Sequence, residues 1–102
     1  MRLRSVLLVD DETHVLEVLE MRLASMGFAV TAVGNPGDAL ALLAERPFDL
    51  ALFDLRMEPL DGIALTREAH TRQARLPVLI MAAHGSIDAA GGGIKEGAVD
   101  FL

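Results

Sequence analysis

The sequence predicts an α/β fold around a parallel five-stranded sheet, and three observations carry that prediction. Five short apolar runs recur along the 102 residues. Three of them are continuously apolar, as strands covered on both faces must be. The segments between them show helical spacing, so the chain alternates strand and helix, the pattern of βαβ units. Right-handed crossovers then leave few topologies.

The first run, "VLLV" (6–9), leads straight into Asp10, Asp11 and Glu12. Val15, Leu19, Leu23 and Met26 follow at intervals of three or four, with Glu17, Glu20 and Arg22 elsewhere on the turn, which predicts an amphipathic helix. "FAVTAV" (28–33) is the second strand. Ala39, Leu40 and Leu43 mark a second helix that "ERP" closes, and "LALF" (50–53) is the third strand, ending on Asp54. Residues 62–73 form a weaker helix, because Ile63, Leu65 and Ala69 give only a thin stripe. "VLIM" (78–81) is the fourth strand. Ile87, Ala90 and Ile94 place a helix over 86–96 with Gly97 as its stop. "VDFL" (99–102) is the fifth strand. The glycines at 91–93 fit that last helix poorly, at up to about 1 kcal/mol each relative to Ala. They read equally as a loop or frayed helix and as a soft element that can move. No linker, internal repeat or other low-complexity tract interrupts the pattern.

Composition narrows the function. Hydrophobic residues make up 52% and mean hydropathy is +0.39, ample for one core and against disorder. No apolar stretch approaches the roughly 18 residues that span a bilayer. "VLLV" is too short for a signal-peptide core, so a soluble cytoplasmic protein is expected. The absence of cysteine removes disulfides and thiolate metal sites. Net charge is −6, from 15 acidic against 9 basic residues. That argues against direct nucleic-acid binding, which needs a basic patch, and favours cations or basic partners.

The acids form the informative constellation. Ligands of open parallel sheets bind beyond the carboxyl ends of the strands, where strand order reverses. In the doubly wound order 2-1-3-4-5 that point lies between strands 1 and 3. Asp10 and Asp11 end strand 1 and Asp54 ends strand 3, so three carboxylates distant in sequence should meet in one crevice. Oxygen ligands with room for water suit a hard octahedral cation such as Mg2+. The competing reading gives Asp10 or Asp11 to the first helix as a cap, a role that Thr13 could fill instead; Asp54 by itself would be an ordinary loop acid.

"VLLVDDE", "FDLALFDLRM" with the following "DG", "LPVLIMAAHGS" and "KEGAVDFL" together resemble the receiver domain of two-component response regulators, over essentially the whole chain and in order. "DLRMEPLDG" followed by "AHGSI" is most similar to receivers of NtrC-like, sigma-54-dependent transcription activators. The resemblance implies a flavodoxin-like, CheY-like fold: the doubly wound five-stranded parallel sheet of order 2-1-3-4-5, here ending before a fifth helix, so that residues 1–102 are one C-terminally incomplete receiver domain. It implies that Asp54 is the phosphoacceptor, taking its phosphoryl group from a sensor histidine kinase. Asp11, Asp54 and the backbone carbonyl of Arg56 would hold Mg2+, with Asp10 helping directly or through water. An output domain, DNA-binding or ATPase, would lie outside this chain. The implied role is signalling rather than enzymatic, with at most Mg2+-dependent self-phosphorylation and self-dephosphorylation. The missing fifth helix would uncover apolar surface beside the first helix and make a homodimer one way to cover it.

The chain departs from that family's pattern at identifiable places. Ala82 stands where a Thr or Ser hydroxyl would meet the phosphoryl group, so the link from phosphate to the 82–86 loop should be weak or rerouted. Phe101 occupies the position of the aromatic that swings with that hydroxyl, and equally reads as a core aromatic. The family's Lys would fall beyond Leu102, and Lys95 sits a helix away from its place. Glu58 stands where a Pro is usual, with Pro59 following. His14 and His70 read as surface residues. His84 lies near the site without a Ser or Cys partner, and Ser86 suits a helix cap.

The main alternative is an interaction-only receiver that signals without phosphate, favoured by Ala82 and the absent Lys and opposed by the intact acids. A haloacid-dehalogenase-like phosphatase would need a second Asp at position 56, which is Arg56. A nucleotide site would need glycines where this chain places Asp10 and Asp11.

Overall fold

The computed structural model describes residues 3–82 in full and 98–101 by their backbone. Its elements run β1 (Ser5–Val9), α1 (Thr13–Ser25), β2 (Ala29–Val33), α2 (Pro36–Glu45), β3 (Leu50–Asp54), α3 (Gly62–Arg72), β4 (Val78–Met81) and β5 (Ala98–Phe101). The five strands form one parallel sheet in the order β2-β1-β3-β4-β5. Each expected strand is present to within a residue or two of its apolar run. The helix expected over 86–96, with the 91–93 glycines, His84, Ser86 and Lys95, lies outside the described residues, as does the side chain of Phe101.

Two cores face opposite sides of the sheet. β1 lies between β2 and β3, and its Val6, Leu7, Leu8 and Val9 are all fully buried. Side chains alternate along a strand, so Leu7 and Val9 join Ala51, Phe53, Val78 and Ile80 in the larger core, against Ala39 and Leu43 of α2 and Leu65 and Ala69 of α3. Val6 and Leu8 join Leu52 in a smaller core against α1. This is why continuously apolar strands were needed.

The stripe of α1 keeps the expected Leu19 and Leu23 and departs from the sequence expectation at its ends. Leu16, Leu19 and Leu23 face the sheet, whereas Val15 and Met26 are exposed. "VLEVLE" carries two overlapping apolar stripes, and the longer leucines reach the sheet. The valine stripe is left outside, and Val18 and Met21 are 59% and 73% exposed.

Helix ends follow local chemistry. The N-cap of α1 is Glu12, with no side-chain cap bond, so neither Asp10, Asp11 nor Thr13 caps the helix. At its far end Gly27 takes φ +99°, and the Gly27 and Phe28 N–H groups donate to the carbonyls of Ala24 and Leu23 at 3.0 and 3.2 Å, a Schellman close that favours glycine. Asn35 caps α2 by accepting from the Asp38 N–H at 2.8 Å, with Pro36 in the first turn. Asp61 caps α3 by accepting from the Ala64 N–H at 2.8 Å. The thin stripe of α3 suffices because Gly62 and Thr66 are buried too, the Thr66 hydroxyl donating to the Gly62 carbonyl at 2.7 Å. His70 is half-buried rather than a surface residue. Its Nε2 lies 2.8 Å from the Leu76 carbonyl oxygen, which can only accept, so Nε2 carries the proton.

The amino ends of the strands are tied together. The Ser5 N–H donates to Asp49 Oδ2 at 2.7 Å, and the Asp49 N–H donates to the Ser5 carbonyl at 2.9 Å. Nearby, Gln73 Nε2 donates to the carbonyls of Leu43 and Arg46 at 2.9 and 2.7 Å, and its Oε1 accepts from the Phe48 N–H at 3.1 Å. Arg46 lies over the Phe48 ring and donates to Thr31 Oγ1 at 2.9 Å.

Candidate metal and phosphoacceptor site

Strand order reverses between β1 and β3, which lie side by side with Val9 opposite Phe53. The next residue on each strand is therefore a carboxylate, Asp10 or Asp54, at the same edge of the sheet. Asp10, Asp11 and Asp54 each offer an oxygen to a cluster in which these atoms lie within 4.8 Å of one another. The crevice read from the sequence exists, and it gathers the three acids named for it.

The three are not equivalent. Asp10 is 4% exposed, and one of its oxygens is occupied locally, accepting from the Glu12 N–H at 2.9 Å. This turn bond orients Asp10 toward the crevice. Asp11 is exposed at the crevice mouth and Asp54 is half-buried.

The electrostatics show the cost of gathering like charges. Asp54 is pushed up to about 6, first by desolvation and then by the charges of Asp10 and Asp11, against the pull of the Arg56 and Leu55 backbone N–H groups. Asp10 is raised as well, chiefly by desolvation and secondarily by Asp11 and Glu12, while its bond from Glu12 acts the other way. Such a site is relieved by a cation that all three carboxylates can share. The donors are oxygen alone, suited to Mg2+ or Ca2+ rather than to a soft metal.

Two cavities flank the cluster. One of about 310 Å³ is walled by Asp10, Glu12 and Asp54 on the acidic side and by Val15, Leu19, Met81 and Ala82 on the apolar side. Ala82 thus shares this cavity with Asp54 and brings a methyl group to its apolar wall. The other, about 360 Å³, is lined by Asp11, Arg56, Met57 and Glu58. In the sequence Glu12 reads as the third acid after strand 1 and Glu58 as the residue in the usual proline position, and neither reading gives it a place in a cavity wall. His14 is exposed on α1 and stands outside the acid cluster.

The loop from β3 to α3 is closed at its base. The Leu55 N–H donates to the Met81 carbonyl at 2.9 Å, and the Gly62 N–H donates to the Leu55 carbonyl at 2.8 Å. Residues 56–61 therefore run between fixed ends, with Met57 buried in the larger core and the Arg56 N–H bonded to the Asp54 carboxylate.

Residues 6–102 match the family described as the response regulator receiver domain. The DNA-binding transcriptional regulator NtrC of Salmonella typhimurium is 41% identical over 97 residues, covering 95% of this chain and 21% of that protein. The chain thus spans about a fifth of the length of the curated relatives it matches. Among solved structures, NtrX from Brucella abortus superposes with a TM-score of 0.92 at 30% identity, over 99% of this chain and 23% of the other. A response regulator from Burkholderia pseudomallei with a phosphorylated aspartic acid, calcium ion and citrate superposes with a TM-score of 0.88 at 26% identity, over 97% and 58%.

Proposed function

Because this chain belongs to the response regulator receiver family, we propose that Asp54 is its phosphoacceptor, charged by a sensor histidine kinase. The observation that carries this reading is the convergence of the Asp10, Asp11 and Asp54 oxygens within 4.8 Å at the carboxyl edge of β1 and β3. A carboxylate oxygen of Asp54 attacks the phosphorus of a phosphohistidine. The phosphorus–nitrogen bond breaks, and its electron pair leaves with the imidazole, which is reprotonated. Without metal Asp54 is raised yet still mostly ionised at neutral pH, so it is available as a carboxylate for both the metal and the phosphoryl group.

Asp10, Asp11, Asp54 and the Arg56 backbone carbonyl would hold Mg2+, whose chemistry here is to neutralise charge shared between the carboxylate and the phosphoryl oxygens. The similar Burkholderia pseudomallei protein holds a divalent ion together with a phosphorylated aspartate. The chain is a signalling domain, with self-phosphorylation from small donors and self-dephosphorylation as its own chemistry. Its output is transcriptional, through a DNA-binding or ATPase domain outside residues 1–102, as the relatives' roles suggest, and its compartment is the cytoplasm. Among the described residues, no helix is long and apolar enough to cross a membrane. The exposed Val18 and Met21 support self-association as a further partner, read by light scattering across a concentration series.

The second reading is a receiver that signals without phosphate, and Ala82 favours it. A phosphoryl group on Asp54 would meet a methyl there, so the hydroxyl-driven coupling of site to loop, with Phe101 following, would be weak or rerouted. Intact mass after incubation with Mg2+ and a small phosphodonor separates the two. The expected outcome is one phosphoryl adduct on the parent, lost in Asp54→Asn and lost on chelation of the metal. A parent that stays unmodified on a chain extended past Leu102 would leave the second reading standing.

A further inference from the structure

We propose that Gly62 is a positioning residue for the acidic site: its lack of a side chain seats the first turn of α3 on the Asp54 backbone and thereby holds the Asp54 carboxylate and the Arg56 carbonyl in register. A Cβ at position 62 would lie 2.5 Å from the Asp54 carbonyl oxygen, 3.0 Å from the Leu55 Cα and 3.1 Å from the Asp54 carbonyl carbon. All three are backbone atoms, so no side chain can rotate out of the way.

Nothing else about the position calls for glycine. Gly62 does not occupy the left-handed region, and glycine in a helix is otherwise a disadvantage. The approach is pinned from both sides. The Gly62 N–H donates to the Leu55 carbonyl at 2.8 Å, while its own carbonyl accepts from the buried Thr66 hydroxyl at 2.7 Å. Gly34 is the counterexample, because a Cβ there would meet nothing nearer than the Asp10 carbonyl oxygen at 4.0 Å. A methyl at 62 must instead displace α3 or the end of β3, and ligands hold a metal only within about 0.5 Å of their working places.

This inference rests on the metal-binding reading above. It is tested by isothermal titration of Mg2+ into the parent, Gly62→Ala, Gly34→Ala and Leu43→Ala, each well below its melting temperature. Leu43→Ala opens a cavity in the larger core, so it controls for lost stability. We expect Mg2+ affinity to fall at least tenfold in Gly62→Ala and to stay within about twofold of the parent in the other two. Parent-like affinity in Gly62→Ala, or an equal loss in Leu43→Ala, would overturn the positioning role while leaving the metal site intact. A parent that binds no Mg2+ would overturn the metal-binding reading and this inference with it. Should Gly62→Ala not fold, the Gly62 amide resonance of the parent decides. It should move with Mg2+ at the same midpoint as Asp11 and Arg56, and a stationary resonance would overturn the proposal.

Discussion

Asp54 is where chemistry and stability meet in a single side chain. Its ordinary value is 3.8, and the fold raises it to about 6. The folded chain therefore holds this proton more tightly than the unfolded one, and the sign follows. The stabilisation is fully present below the ordinary value and is lost as pH rises through about 6. Discounted for the partial exposure of Asp54, the loss is on the order of 2 kcal/mol. Two outcomes follow for the metal-free chain. Asp54→Asn should melt at a higher temperature than the parent at neutral pH, and that gap should close as pH approaches 4. Added Mg2+ should raise the parent's melting temperature at neutral pH and do so less below pH 6, where protons compete for the same oxygens. A flat difference across that range would mean that Asp54 is not strained by its neighbours. The three acids were legible because each ends or follows an apolar run, and topology alone then brings them together. The turn bond from Glu12 to Asp10 was not, since it depends on a local backbone path that many residues could take.

At the level of elements, legibility tracked how much of the pattern is local. β1, β3 and β4 announce themselves as continuously apolar runs, and β2 and β5 follow from the alternation of strand and helix around them. In α1 the doubled stripe of "VLEVLE" left two solutions, and only the sheet's demand for long side chains picks Leu16 over Val15. α3 looked weak because two of its buried positions, Gly62 and Thr66, are not apolar side chains at all. One is buried by close approach and the other by bonding its own helix. Gln73 illustrates what periodicity cannot contain. It lies just past α3 and bonds three backbone groups near the end of α2 and the start of β3. Gln73→Ala should lower stability by about 2 to 3 kcal/mol in urea unfolding, since it removes three bonds and leaves the Phe48 N–H without its partner. Mg2+ affinity should be unchanged, because the substitution acts at the opposite end of the sheet. A loss of under about 0.5 kcal/mol would show that water replaces the side chain there.

Across the whole molecule, the carboxyl edge of the sheet gathers unlike demands in one place: like charges, two cavities, and a loop tied down at its base and by the buried Met57. The amino edge does the reverse. Ser5 with Asp49, Gln73 with α2, and His70 with Leu76 are all satisfied pairs that hold the layers in place. Between them the turn at Ala74 and Arg75 is exposed. That division makes the domain a natural chassis for a sensor. A fluorescent reporter grafted between Ala74 and Arg75 should leave Mg2+ binding and the Asp54 adduct as they are in the parent, whereas the same graft in the 56–61 loop should abolish both. The workshop and the foundation of this small protein stand at opposite rims, so one can be rebuilt while the other keeps running.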